Sequence, residues 1–116
     1  MRDHSHRTER VADLLRQELS QLLEREVRDP RVGFVTITRV ELTRDLQTAR
    51  VGITVLGDET QKKQSLQGLS AAQGFLRRQL ARRLGLKHTP ALVFELDQSL
   101  ESEQRIEELL RQIRQK

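Results

Sequence analysis

A chain of 116 residues has room for one domain and a modest core, with no space for a second. Only Phe34, Phe75 and Phe94 are aromatic and Trp, Tyr and Cys are absent, which makes the core aliphatic, argues against base stacking on exposed rings, and excludes disulfides, thiolate zinc sites and a thiol nucleophile. The net charge of +4 is unevenly spread, with 17 basic against 11 acidic residues up to Pro90 and 4 against 6 from Ala91 onward, so a polyanion is the expected partner of the first part.

From Ser5 to Val27 the apolar residues Val11, Leu14, Leu15, Leu19, Leu22, Leu23 and Val27 recur every three or four positions, the stripe of an amphipathic helix. Asp29-Pro30 ends it, because the residue before proline is driven out of the helical region. Phe34 to Leu42 is rich in Val, Ile and Thr and reads as a strand, but its apolar phase changes from odd (Val35, Ile37) to even (Val40, Leu42). Such a change predicts a bulge near Thr38-Arg39. Residues 43–47 supply a turn, and the alternation of Ala49, Val51, Ile53 and Val55 predicts a second strand that closes a hairpin. Asp58, three residues ahead of Gln61, provides N-cap chemistry for a helix built on Leu66, Leu69 and Ala72. A break at Ala72-Gln73-Gly74 leads into another helix from Phe75 to Leu84, with Leu76, Leu80 and Leu84 on one side and Gly85 as its stop. Leu92, Phe94 and Leu96 mark a third strand. Ile106, Leu109, Leu110 and Ile113 mark a tail helix over about residues 100–114. The expected core comprises Leu15, Leu19, Leu22, Val51, Ile53, Val55, Leu69, Leu80 and Phe94.

This order, αββααβ plus a C-terminal helix, is α+β and resembles the type II KH arrangement, a three-stranded mixed sheet covered by helices on one face. The Gly-x-x-Gly clamp for single-stranded nucleic acid is missing; its place is taken by Ala72-Gln73-Gly74. That substitution, together with Val27-Arg28-Asp29-Pro30-Arg31-Val32-Gly33, the run from Val40 to Val51, and Thr89-Pro90 through Ser99, resembles the bacterial ribosome-binding factor A family over nearly the whole chain. The resemblance implies a non-enzymatic assembly factor of the small (30S) ribosomal subunit. It would bind the free or immature subunit, assist late folding and processing of 16S rRNA, and support growth in the cold. Ribosomal proteins would be its neighbours. The longer charged tail of some members is not matched here.

Between Gln61 and Pro90 stand Lys62, Lys63, Arg77, Arg78, Arg82, Arg83 and Lys87 with no Asp or Glu. Ordinary helix surfaces mix signs, because opposite neighbours relieve repulsion, so this stretch is the expected RNA-binding surface. At about 100° per residue, Arg78 and Arg82 lie opposite the apolar stripe of their helix. Gly74, with Ala72, is expected to make the bend by adopting backbone angles closed to other residues, leaving free N–H groups for phosphate. Arg31 and Arg44 join the candidate set. The blander alternatives are a solvated basic face for the arginines, a bend without a ligand for Gly74, and local pairing with Glu24, Glu26 or Asp29 for Arg28 and Arg31.

Catalysis finds little footing. The three histidines His4, His6 and His88 have no carboxylate at triad or metal spacing, and no nucleotide-binding fingerprint occurs, so neither metal nor cofactor is expected. The rival reading is a protein-binding adaptor acting through the tail helix. The polar opening and the lack of a long apolar run lead us to expect a soluble, cytoplasmic monomer with no membrane partner.

Overall fold

The computed structural model describes the backbone of residues 2–97 and 110–113, with side chains from residue 7 onward. Helix α1 (Arg2–Arg25) is followed by strands β1 (Val35–Leu42) and β2 (Thr48–Val55), helices α2 (Glu59–Ala71) and α3 (Gln73–Leu84), and strand β3 (Ala91–Leu96). The sheet order is β1-β2-β3, with β1 antiparallel and β3 parallel to β2. This is the expected α+β, type II KH-like order. Of the predicted tail helix only residues 110–113 are described, and they are helical and exposed; the rest lies outside the described residues.

Helix α1 stops two residues short of the predicted Val27. The amides of Glu26 and Val27 both reach back to Leu22 O, a widened last turn that clears Pro30 of the helical path. The phase change in β1 is a bulge: Ile37 pairs with Ile53 but Arg39 with Gly52, leaving Thr38 as the extra residue. At the start of α2 the Asp58 carboxylate accepts from Gln61 N and the Gln61 side chain accepts from Asp58 N, a complete capping box. Gly57 makes room for it. Its φ is +140°, and a Cβ there would sit 2.0 Å from Gln61 Oε1.

Leu15, Leu19, Leu22, Val51, Ile53, Leu69, Leu76 and Leu80 are fully enclosed, joined by Ala49, Ile37, Val55 and Leu92. Two sequence expectations are corrected. Phe94 packs against this cluster only partly, because β3 is an edge strand, and Leu14 is 49% exposed despite its place in the apolar period.

The bend between α2 and α3 also differs from expectation. Ala72 alone separates them, at φ −82° and ψ 0°, donating to Gly68 O and accepting from Leu76 N. Gly74 is an ordinary helical residue of α3, and a Cβ there would meet only the far end of the long Arg78 side chain, Nη1 at 3.4 Å. The glycine that matters is Gly68. A Cβ on Gly68 would lie 2.7 Å from Val32 Cγ2 and 3.3 Å from Arg31 Cβ, where the loop after α1 crosses α2. Gly68→Ala should therefore lower the thermal midpoint, whereas Gly74→Ala should hold or raise it, helix propensity adding up to about 1 kcal/mol of stability. Equal losses in a melting comparison would restore the special role expected of Gly74.

Candidate nucleic-acid interface

Helix α3 presents the basic residues because Leu76 and Leu80 anchor its opposite side in the core. Arg78 and Arg82, two positions on from each leucine, are exposed and carry no ion pair among the described residues. Arg77 is tied down: its guanidinium donates to Thr89 O (2.9 Å), and Thr89 Oγ1 donates to Arg77 O (3.2 Å). That clasp closes the loop after α3 onto its first turns. Between this loop, α3 and the hairpin turn lies a groove of about 940 Å³ lined by Leu46, Gln47, Gly74, Arg78, Lys87 and His88, with Arg77 beside them.

The hairpin turn holds its shape through Asp45, whose carboxylate accepts from Thr43 Oγ1 (2.6 Å) and Gln47 N (3.1 Å), while Leu46 takes a φ of 60°. The Thr43 hydroxyl, then the Gln47 amide, hold the Asp45 carboxyl below its ordinary range. One negative charge thus borders the groove. Arg44, next to it, is exposed and has no ion pair among the described residues.

The acid-free window is not as uncompensated in space as in sequence. Arg83 reaches α1, with Nη2 2.7 Å from Glu26 Oε1 and Nη1 3.4 Å from Glu18 Oε2, and Lys62 faces Glu59 at 3.7 Å. Lys63 is exposed on the first turns of α2, about 12 Å along that helix from its end at Ala71. Arg31 is held by Asp29, with Nε and Nη2 both donating to its carboxylate. The structure therefore gathers Gly74, Arg77, Arg78 and Lys87 around the groove, sets Arg82 one turn along the same face, and places Arg44 in the bordering turn. Ala72 is the half-buried hinge. Arg31, Lys62 and Arg83 stand apart in ion pairs. Leu46, Gln47 and His88 were missed as groove residues; a turn brought against a loop more than forty positions away leaves no local signal.

The other face of the sheet behaves differently. The bulge sends Arg39 across Gly52, whose missing Cβ would lie 2.8 Å from Arg39 Cγ. Arg39 pairs with Glu41 (2.8 Å) and Glu95 (2.9 Å), Arg50 also meets Glu95 (2.9 Å), and Thr38 donates to Asp97 (2.6 Å). Partial burial opposes ionisation of Glu95, but hydrogen bonds from Arg50 and Arg39 outweigh it and leave its pKa below the ordinary value. This face neutralises itself, while Arg78, Arg82 and Lys87 are left open.

Among the described residues no three His, Asp or Glu side chains converge as a metal site, and no helix is long and apolar enough to cross a membrane. Fold and groove define a small KH-like α+β domain with a cluster of exposed cations along α3 and the loop after it. The family model "Ribosome-binding factor A" matches residues 7–110. A ribosome-binding factor A from Desulfitobacterium hafniense is 47% identical over 110 residues, covering 95% of this chain and 88% of that protein. The crystal structure of ribosome-binding factor A from Thermus thermophilus superposes with a TM-score of 0.70 at 26% identity, over 77% of this chain and 93% of that one. A homology model of the Thermus factor, fitted into a cryo-electron microscopy map of a 30S complex, gives 0.64 at 26% identity, over 75% and 91%. The chain belongs to the ribosome-binding factor A family, a family of non-enzymatic assembly factors.

The Asp29–Arg31 clasp makes a pH prediction. The Arg31 side-chain hydrogen bonds, then its backbone amide, lower the Asp29 pKa from 3.8 to about 2. A depressed carboxyl stabilises the fold above its unfolded pKa, and that contribution is lost as the pH falls from about 4 toward 2. In Arg31→Ala the Asp29 carboxyl, followed by NMR, should titrate higher than in the parent but stay below 3.8, because the amide of residue 31 still donates to it; an unchanged value would mean that the Arg31 side chain does not set it.

Proposed function

We propose that this protein binds the free or immature small ribosomal subunit by laying the exposed side of α3 and the adjoining groove along the phosphate backbone of its 16S rRNA. The observation that carries this reading is that Arg78, Arg82 and Lys87 stand exposed together without an ion pair among the described residues, while the open sheet face pairs Arg39 and Arg50 with carboxylates. Guanidinium groups fit phosphate geometry, and phosphate supplies the relief that no carboxylate gives them. Family membership and the fitting of the Thermus relative into a 30S map support the same partner. In this reading the protein is a cytoplasmic monomer that assists late rRNA folding and processing, including growth in the cold, with ribosomal proteins as neighbours and without metal, cofactor or chemistry of its own. Lys63 and Arg44 extend the contact. Lys62, Arg31 and Arg83 join it only by exchanging their carboxylate partners for phosphate.

A second reading, a protein-binding adaptor working through the tail, is favoured by the exposure of Leu110 (48%) and Ile113 (68%). The two separate on charge. Reversing Arg78 and Arg82 to Glu should abolish co-sedimentation with small subunits and leave the thermal midpoint nearly unchanged, since neither side chain is buried or paired. Arg111→Glu should have little effect. Retained binding by the double reversal, with loss on Leu110→Ser/Ile113→Ser, would favour the adaptor.

A further inference from the structure

The two edges of the sheet are not equally protected. On β3, the Gln73 side chain accepts from Leu92 N (3.0 Å) and so caps an outward-facing amide. On β1 nothing corresponds. The Leu56 amide donates to Phe34 O, which marks Phe34 and Leu56 as a hydrogen-bonded antiparallel pair. By the alternation of such ladders, the N–H and C=O of Val35 and Ile37 point away from β2. Among the described residues they meet no partner. Further along, the bulge at Thr38 and the charged Arg39 and Glu41 blunt the edge in the way natural edge strands are defended. Phe34 to Ile37 has no such defence.

Apolar surface flanks this stretch on both faces. Beside it, Leu23 of α1 with Val27 and Val32 of the loop after it border a groove of about 460 Å³, and Glu24 lies on the same border, exposed and without an ion pair among the described residues. On the opposite face the paired Phe34 and Leu56 are 81% and 76% exposed. Leu23, Val27 and Val32 are half-buried against the core, whereas Phe34 and Leu56 are left in water beside an open edge, which is costly unless something covers them.

We propose that the edge of β1 from Phe34 to Ile37 takes an extended segment of a protein of the small ribosomal subunit, added as a fourth strand. The open N–H and C=O groups require extended backbone. The period-two alternation of a strand places one set of side chains in the Leu23–Val27 groove and the next over Phe34 and Leu56. Glu24 calls for a cation at the groove-facing position. A second copy of this chain fits less well, because two-fold pairing of so short an edge brings two Glu24 carboxylates into one interface. The site lies at the end of β1 remote from the hairpin turn, roughly 25 Å from the basic groove, so both surfaces can be occupied together. The proposal rests on the small subunit being the partner, and it concerns its protein rather than its RNA.

The test uses full-length protein with two probes, intact small subunits and small-subunit rRNA stripped of protein. Val35→Pro removes one outward N–H and leaves the β1–β2 ladder untouched, as proline at sheet edges permits. Glu24→Lys reverses the rim charge on an exposed helix position and cannot harm the core. Both variants should bind stripped rRNA at least as well as the parent but intact subunits roughly three- to ten-fold more weakly, the range expected for losing one net hydrogen bond or ion contact. Should Val35→Pro melt early, Glu24→Lys decides alone, because a purely RNA-driven association must tighten, not weaken, with an added cation. Parental affinity of Glu24→Lys for intact subunits would overturn the edge proposal while leaving the RNA reading to the Arg78/Arg82 result. A parent that sediments as a dimer, made monomeric by Val35→Pro, would assign the edge to a second copy and overturn it as well.

Discussion

The seating of Leu76 and Leu80 in the aliphatic core is the contact on which the remaining geometry depends. Both are fully enclosed, and they roll α3 so that Arg78 and Arg82 face solvent while Arg83 swings toward Glu18 of α1 and Glu26 just past its end. The Arg77–Thr89 clasp then draws Lys87 and His88 back against the same helix. Burying two leucines fully contributes on the order of 3–6 kcal/mol before entropy, far more than any exposed ion pair here. Packing therefore sets the position of the cations, and electrostatics acts on what packing leaves exposed.

Charge in this protein is sorted by surface. The open sheet face carries Arg39, Arg50, Glu41 and Glu95 in a cross-strand network made possible by a bulge and by a glycine where a Cβ would collide. Such a network gives a polyanion little net field to bind. On the exposed side of α3 the opposite holds: Arg78 and Arg82 stand together without protein counterions among the described residues, a modest cost in the free protein that phosphate can reverse on binding. The absence of an acid between Gln61 and Pro90 is thus a local feature with two outcomes, since Arg83 and Lys62 find carboxylates elsewhere and Arg78, Arg82 and Lys87 do not.

What could be read from sequence was whatever local chemistry dictates. The stripe of α1, the hairpin, the Asp58–Gln61 cap and the bulge all follow from spacing and residue type within a few positions, and the structure carries each of them. The exposure of Arg78 and Arg82 followed in the same way from the Leu76–Leu80 period. Contacts between distant segments had no such signature. Glu18 and Glu26 lie 65 and 57 positions from Arg83, and the need for Gly68 arises from Val32, far upstream. A glycine inside a helical pattern was the one hint that something approaches closely there, yet Gly74 drew that inference because it stands beside the break. The hinge itself needs no glycine, since Ala72 makes the turn with ordinary backbone angles.

The central claim is that Arg78 and Arg82 meet phosphate, and the salt dependence of binding tests it most directly. Association of the parent with small-subunit rRNA should weaken linearly in log affinity against log salt. Neutralising both residues, as Arg78→Gln/Arg82→Gln, should flatten that slope by roughly 1.4–1.8, the counterion release of two phosphate contacts. A slope identical to the parent's, with affinity preserved, would show that these arginines are solvated and that the RNA lies against another face.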